Sequence, residues 1–274
     1  MSFLKIVLNF YINSSVHVAF AVYSFVRITE IYFGLEYNEN LDYFIFFGTI
    51  TGYNFVKYAG VAKLHHSSLT DNLRVIQIFS FLCFLLMCFY AYKVPKHILF
   101  YFIPFGILTL LYAIPFLSGF KKNLRNISHL KIIIIALVWA GTTVLLPILD
   151  SNKAIDFKIF LFFIQRFLIV IVLTLPFDIR DMRFDAISLQ TIPQKIGVKK
   201  TKKLGLTLLL FSLIIEFLFS SEITIKNGFV FMFFVLLIFL MRAEKNQSKY
   251  YSSFWVEAIP VFWWILLLGI LNFY

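Results

Sequence analysis

Apolar residues recur along this chain in long continuous runs, without the alternation that amphipathic strands show. A bilayer core of about 30 Å is crossed by about 17 to 25 mostly apolar helical residues. Nine runs reach or approach that length: 6–27, 41–60, 74–93, 97–117, 130–148, 157–176, 204–220, 227–241 and 254–273. Backbone groups in lipid must be satisfied within their own segment, so continuous runs favour helices over a barrel. The pattern predicts an all-α, polytopic membrane helical bundle of about nine transmembrane helices, with residues 1–274 forming a single integral membrane domain.

Composition excludes a soluble globular domain. The chain is 61% hydrophobic and only 14% charged, whereas soluble domains are about 25% charged. The net charge of +11 arises mainly in alternate connections: with a cytoplasmic N-terminus, 18 of the 25 Lys and Arg residues fall on the cytoplasmic side. The excess therefore indicates topology and no nucleic-acid partner. We expect a protein of the cytoplasmic membrane, with its N-terminus in the cytoplasm and its C-terminus outside.

The longest connection predicted on the cytoplasmic side covers residues 177–203 and opens with the sequence PFDIRDMRFD. A proline is tolerated in a first helical turn or at a kink, so the sixth helix can continue past Pro176. Three carboxylates then stand at i, i+3 and i+7, within about 60° of one another on the helix: Asp178, Asp181 and Asp185. Arg180 and Arg183 would point to the opposite side. With a second cytoplasmic loop, 61–73, this connection would form the polar mouth of the bundle.

Converging carboxylates repel one another and need a compensating cation. Mg²⁺ takes one or two carboxylates together with substrate phosphates and water, so the stripe suits a Mg²⁺ and phosphate site. An ordinary solvated interfacial helix, in which Asp178 caps a helix N-terminus, explains the spacing equally well. The spacing alone leaves both interpretations open.

The octapeptide DIRDMRFD, followed by QTIPQKIG at Gln190 to Gly197, resembles the second aspartate-rich motif of the UbiA-type intramembrane prenyltransferases. In that family a DxxDxxxD run precedes a TLPxxLG-like segment. The chain length, the nine-helix count and the place of the motif after the sixth helix match as well. The resemblance implies Mg²⁺-assisted transfer of an isoprenoid group from a prenyl diphosphate to an unidentified acceptor, with Asp178, Asp181 and Asp185 as the metal ligands.

The first motif of that family, NxxxDxxxD at the end of the second helix, is degenerate here. Asn54 matches its asparagine, but Tyr58 and Ala62 stand at the aspartate positions. Two consequences are open. In the first, Asn54, Lys57, Tyr58 and Lys63 bind the substrate and the lysine charges replace part of the metal, since lysine serves as a phosphate binder. In the second, the chain binds isoprenoid lipid without turnover.

Two charges lie inside predicted spans, where each is costly without a partner. Arg166 and Glu216 are ten and twelve residues from the cytoplasmic ends of their helices, depths of about 15 and 18 Å. We expect this intramembrane polar pair to make contact, and a small-solute transporter built on it is a third functional alternative. Glu257, three residues into the last run, can snorkel to the interface and is given no role.

The first run carries a polar stripe of Asn9, Asn13 and His17, spaced four residues apart. These residues would either line a substrate cavity or hold helices together by hydrogen bonds.

Overall fold

The structure, a computed structural model, describes residues 3–58, 70–113, 130–183, 190–220 and 222–272. Within these ranges the chain is built from helices, numbered here in chain order. They are α1 (Phe3–Asn13), α2 (Val16–Phe33), α3 (Glu39–Tyr58), α4 (Thr70–Lys93), α5 (Lys96–Ala113), α6 (Leu130–Ala140), α7 (Leu146–Asp150), α8 (Phe157–Asp181), α9 (Ile192–Phe219), α10 (Ile223–Arg242) and α11 (Ile259–Asn272). Two π-helical segments interrupt the series: Gly141–Leu145 joins α6 to α7, and Tyr251–Val256 precedes α11.

The predicted all-α membrane bundle is confirmed, but the count of nine spans is not. Over the described ranges, seven helical stretches are long and apolar enough to cross a membrane: Val16–Phe33, Leu73–Lys93, Lys96–Ala113, Leu130–Asp150, Phe157–Asp181, Ile223–Arg242 and Tyr251–Leu271. Helices α3 and α9 have 20 and 28 residues and contribute to the same bundle, yet each carries several polar or charged residues. The length of an apolar run alone therefore predicts more strongly apolar spans than the described ranges contain.

The predicted first span, 6–27, is wrong in its boundaries. The chain breaks between α1 and α2, where Ser15 adopts a left-handed backbone conformation with a φ of 63°. Helix α1 has 11 residues, about 16 Å, which is too short to cross the bilayer core. Helix α2 runs on to Phe33 and ends at Gly34, whose left-handed conformation provides a common helix stop.

Helix α8 does continue past Pro176, as predicted, but only to Asp181. Asp185, expected on the same helical stripe, lies beyond its end and outside the described residues. The predicted loop 177–203 is also too long, because α9 already begins at Ile192. Its start is stabilised by Gln194, whose Oε1 accepts a hydrogen bond from the Thr191 backbone N–H at 2.9 Å. Of the predicted loop 61–73, residues 61–69 lie outside the described residues.

Close helix packing holds α8 in place. Helix α8 packs against both α6 and α9, and α10 lies against α9. At Gly205 of α9 an added Cβ would lie 2.6 Å from Leu240 and 2.8 Å from Leu175, so the absent side chain permits this approach. The outer faces of α4 and α5 instead expose large apolar side chains, including Phe81 and Phe100, as expected for surfaces in contact with lipid.

Candidate functional site

A cavity of about 830 Å³ opens between α3, α5, α6, α8 and the start of α11. Its lining on α3 runs from Lys57 at the helix end back to Ile45, and its lining on α8 runs from Asp181 back to Val170. The cavity therefore extends along the helices, from charged helix ends into the apolar interior of the bundle. We call the charged end the mouth.

Asp178 and Asp181 both line the mouth, and each is paired with a cation. Lys131 Nζ lies 2.9 Å from Asp178 Oδ1, and Arg180 Nε lies 2.8 Å from Asp181 Oδ1. Arg180 and Arg183 do not point away, as the helical stripe predicted, since both line the same cavity.

Cations outnumber carboxylates at this site. Among the described lining residues, the cationic ones are Lys57, Lys131, Arg180, Arg183 and Lys249, and the acidic ones are Asp178, Asp181 and Glu257. A cavity with low-dielectric walls and excess positive charge attracts anions and strengthens their binding. The mouth thus suits a small polyanion such as a diphosphate.

Lys57, from the degenerate first motif, places a cation at this cavity. Its Nζ donates to Ser15 Oγ at 2.9 Å and to the Ile12 carbonyl at 3.4 Å, both at the break between α1 and α2. The ammonium group is thereby fixed at the cavity wall. Lys63, the second lysine proposed from the sequence, lies outside the described residues.

Asn54 and Tyr58 are placed differently from the expectation that they bind substrate. Asn54 is buried, and its Nδ2 donates to the Ser14 carbonyl at 2.9 Å and to Ser80 Oγ at 2.7 Å. The Tyr58 hydroxyl donates to the Asn13 carbonyl at 2.9 Å. Neither is among the described residues that line the cavity. Both instead hold α3 against the break between α1 and α2.

The described carboxylates fit one Mg²⁺ ion better than a larger metal cluster. Over the described part of the chain, no three His, Cys, Asp or Glu side chains gather in a metal-binding arrangement. Asp178 and Asp181 do share the mouth, and Mg²⁺ commonly binds one or two carboxylates together with substrate phosphates and water. The donor set therefore suits a metal that binds together with an anionic substrate.

The interior of the cavity is aromatic and largely apolar. Tyr53, Phe102, Phe105 and Trp139 line it, and Trp139 Nε1–H donates to the Tyr53 hydroxyl at 2.8 Å. Glycines on the α3 wall, at positions 48 and 52, leave room for a ligand beside the helix backbone. Such an interior suits an isoprenoid tail.

Arg166 and Glu216 do not meet directly, contrary to the expected contact. The fully buried Arg166 donates from Nη1 to the Phe25 carbonyl at 3.0 Å, and its guanidinium lies 4.0 Å from the Phe25 ring centroid. Glu216 accepts hydrogen bonds from Gln165 Nε2 at 2.8 Å and from the Tyr32 hydroxyl at 3.2 Å. Neither is among the described lining residues of the cavity, so these two charges belong to the packed core.

Two of the three polar residues in the first run hold helices together. Asn9 Oδ1 accepts a hydrogen bond from Lys249 Nζ at 2.9 Å, and His17 Nε2–H donates to the Phe254 carbonyl at 2.8 Å. Asn13 lines the cavity. Asn9 and His17 therefore hold the segment that precedes α11 in place, whereas Asn13 borders the cavity.

Sequence interpretation missed Glu257. It lines the cavity and is only partly buried, although its shallow position suggested a side chain directed to the interface. The available sequence signal was an acidic residue inside an otherwise apolar run. Depth along a helix does not say which way a side chain points.

No protein-family model matches the sequence, and neither does any curated protein. Solved structures do resemble the fold. A UbiA homolog from Archaeoglobus fulgidus bound to GPP and Mg²⁺ aligns with a TM-score of 0.63 at 14% identity, over 96% of this chain and 99% of that one. A UbiA homolog from Aeropyrum pernix K1, in its apo form, gives 0.65 at 12% identity, over 94% and 97%.

A digeranylgeranylglyceryl phosphate synthase aligns with a TM-score of 0.61 at 16% identity, over 99% of this chain and 100% of that one. At such identities the likeness concerns the fold. Since it extends over nearly the whole of each chain, this protein has the helical membrane fold of the UbiA homologues.

Proposed function

We propose that the chain is an intramembrane prenyltransferase that moves an isoprenoid group from a prenyl diphosphate to an acceptor in the membrane. The observation that carries this proposal is that one continuous cavity joins Asp178, Asp181 and a set of cations to an aromatic interior. Its charged mouth fits a diphosphate and its apolar part fits a prenyl tail. Solved UbiA homologues bound to GPP and to DMAPP, each with Mg²⁺, support the same donor class.

Transfer begins when the bond between C1 of the prenyl group and the diphosphate oxygen breaks. Negative charge then grows on the leaving group, and fixed positive charge placed there lowers the barrier. Asp178 and Asp181 would hold Mg²⁺, with Asp185 as a further proposed ligand. The bound ion would neutralise charge on the diphosphate.

The lysines and arginines of the mouth supply the remaining positive charge. Lys57 lines the cavity and stands one residue before Tyr58, which occupies the first aspartate position of the family pattern. Lys131, Arg180 and Arg183 line the mouth as well. Ionised donors form short, strong hydrogen bonds with phosphate oxygens. We propose that these cations replace the second metal, with Lys63 as an additional phosphate contact.

The aromatic interior protects and orients the reacting carbon. Phe102, Phe105 and Trp139 exclude water from the prenyl chain, and their ring faces stabilise positive charge that develops at C1. The tail is bound by burial of apolar surface, which contributes about 25 cal/mol for each Å² removed from water.

Release of pyrophosphate tests this function. Purified protein with Mg²⁺ and geranyl diphosphate, together with extracted membrane lipids as the acceptor source, should release pyrophosphate, and Asp181→Asn should lower the rate at least about 100-fold. Asp150→Asn is the matched control, because Asp150 accepts a hydrogen bond from Asn38 at the end of α7, away from the mouth. Equal rates for Asp181→Asn and the wild type would contradict the proposal.

A binding protein without turnover is the second candidate, because the first motif lacks both aspartates. It would bind geranyl diphosphate, or copurify with an isoprenoid lipid, and release no pyrophosphate. A transporter is not favoured, since Arg166 and Glu216 lie in the packed core and away from the described cavity lining.

We propose further that the mouth faces the cytoplasm. Lys57, Lys131 and Lys249 line the mouth, and all three come from connections assigned to the cytoplasm by the bias of basic residues. A reporter fused after Tyr274 should then be found outside the cell. A cytoplasmic reporter would contradict this orientation.

A further inference from the structure

Glu257 places a carboxylate in the cavity that the donor site does not use. It follows the π-helical segment Tyr251–Val256 and lines the cavity together with Ser253 of that segment. Within the described ranges, its side chain makes no hydrogen bond or ion pair. An ionisable group inside a membrane-spanning segment is costly to keep, so its position in a cavity indicates a function.

The neighbouring cations make their described hydrogen bonds to other groups and form no ion pair with Glu257. Lys57 and Arg180 line the same cavity as Glu257. Lys57 nevertheless donates to Ser15 and Ile12, and Arg180 donates to Asp181. The Glu257 carboxylate oxygens therefore remain available to a ligand in the cavity.

Tyr53 adds a hydrogen-bond donor to the same cavity. Its hydroxyl oxygen accepts a hydrogen bond from Trp139, so its own proton can be donated to a ligand. Tyr53 and Glu257 both line the cavity. A proton acceptor and a proton donor thus border the same, mostly apolar space.

The backbone that borders this part of the cavity is also irregular. π-Helical segments inside α-helices are often found at functional sites. Here one of them, Tyr251–Val256, directly precedes Glu257, and the other, Gly141–Leu145, contributes Thr142 to the cavity lining. Both irregular segments therefore border the space where an acceptor would meet the prenyl carbon.

We propose that Glu257 is the catalytic base that receives the proton of the acceptor, and that the acceptor is a hydroxyl compound without a carboxylate near its reacting oxygen. Tyr53 orients this acceptor by a hydrogen bond. The inference rests on the proposed prenyl transfer. A second negative group beside Glu257 would be repelled, so the carboxylate also selects the acceptor class.

The step balances without a further reactant. The bond from C1 to the diphosphate oxygen breaks, and its electron pair leaves with the diphosphate. A lone pair of the acceptor oxygen forms the new bond to C1, and the O–H proton passes to the Glu257 carboxylate. The products are a prenyl ether, pyrophosphate and a protonated Glu257, which then loses its proton to water.

The test separates donor binding from transfer. Equilibrium binding of radiolabelled geranyl diphosphate, with Mg²⁺, is measured on purified protein, and formation of labelled lipid is measured in membranes that contain the protein and supply the acceptor. Glu257→Gln should bind the donor within about twofold of the wild type but form labelled lipid at least about 100-fold more slowly, the usual contribution of a general base. Glu257→Asp should restore part of the rate.

Glu244→Gln is the matched control, because Glu244 is exposed beyond the end of α10 and should transfer at the wild-type rate. Transfer by Glu257→Gln at the wild-type rate overturns the role of Glu257 and leaves the proposed function standing. Loss of donor binding in Glu257→Gln also overturns it, because the carboxylate would then belong to the donor site. If the wild type binds no donor and forms no labelled lipid, the proposed function fails and this inference fails with it.

Discussion

Lys131 Nζ lies 2.9 Å from Asp178 Oδ1, so the first aspartate of the motif is already paired with a cation from the start of a neighbouring helix. The Asp178 side chain is 3% exposed and that of Lys131 is 22% exposed. This lysine takes a position beside Asp178 that a metal ion would otherwise share. The negative charge of Asp178 is thus partly balanced by Lys131 before any ligand binds.

Replacing Lys131 by methionine tests this balance. Removal of the ion pair to a buried carboxylate should lower the stability of the protein without metal by about 1 to 3 kcal/mol. Added Mg²⁺ should raise the Tm of Lys131→Met more than that of the wild type, because the ion then restores positive charge beside Asp178. Thermal unfolding in detergent with and without MgCl₂ measures both effects.

Lys226→Met, in the first turn of α10 and outside the described cavity lining, is the control for that experiment. It should respond to Mg²⁺ as the wild type does. A Lys131→Met protein as stable as the wild type without Mg²⁺ would show that the ion pair contributes nothing to stability.

Variants at Lys57 and Ser15 can separate the effect of the lysine charge on donor binding from the role of Lys57 in holding α3 against the break between α1 and α2. Lys57→Met should weaken the binding of geranyl diphosphate by about 10- to 100-fold, since a charge-assisted hydrogen bond contributes about 1.5 to 3 kcal/mol. Ser15→Ala removes a partner of the ammonium group but keeps its charge, so its effect should be clearly smaller. Equal losses in the two variants, measured by equilibrium binding, would mean that Lys57 acts only by holding the break between α1 and α2.

Close packing beside the cavity gives a third prediction. A Cβ added at Gly141 would lie 2.1 Å from the Phe105 ring, which lines the cavity. Gly141→Ala should therefore force the ring to move and destabilise the protein by about 1 to 3 kcal/mol. Gly269→Ala, with no atom within 4 Å of the added group, should be neutral or stabilising in thermal unfolding. The same loss of stability in both variants would contradict this explanation.

The buried network around Glu216 should matter for stability and not for substrate. Gln165 and Tyr32 donate to different oxygens of Glu216, so Glu216→Gln keeps an acceptor for one of them, whereas Glu216→Leu leaves both donors unsatisfied at a cost of about 1 to 3 kcal/mol each. We expect the leucine variant to have the lowest Tm and both variants to keep the KM for geranyl diphosphate. A large change of KM in Glu216→Gln would contradict the assignment of this residue to the core.

Sequence patterns identified the membrane bundle, because it follows from the length of the apolar runs. They also identified the extension of α8, because a helix tolerates a proline such as Pro176 at a kink. They located Asp178 and Asp181 at one helix end for the same reason. The break at Ser15 was missed because the run was judged by its overall apolar length, although Asn13, Ser14 and Ser15 form a short polar cluster of residue types that favour turns and helix ends. The early start of α9 was missed because its lysines were counted as loop residues.

The remaining differences between the predicted and observed sites concern the direction in which side chains point around their helix axes. Equal depth correctly suggested that Arg166 and Glu216 lie at similar levels of the bundle, but depth does not fix the direction of a side chain. Arg166 turns toward the Phe25 ring and Glu216 turns toward Gln165 and Tyr32. Glu257, between the π-helical segment and α11, lines the cavity, which its shallow depth in the run did not predict.

A structure of the protein determined with geranyl diphosphate and Mg²⁺ tests most directly whether this cavity is a prenyl diphosphate site. We expect the diphosphate at the mouth, in contact with Lys57 and Lys131 and with Mg²⁺ held by Asp178 and Asp181. The prenyl chain should lie along Phe105 and Trp139. A donor bound elsewhere in the bundle, or a cavity that stays empty at saturating donor, would contradict it.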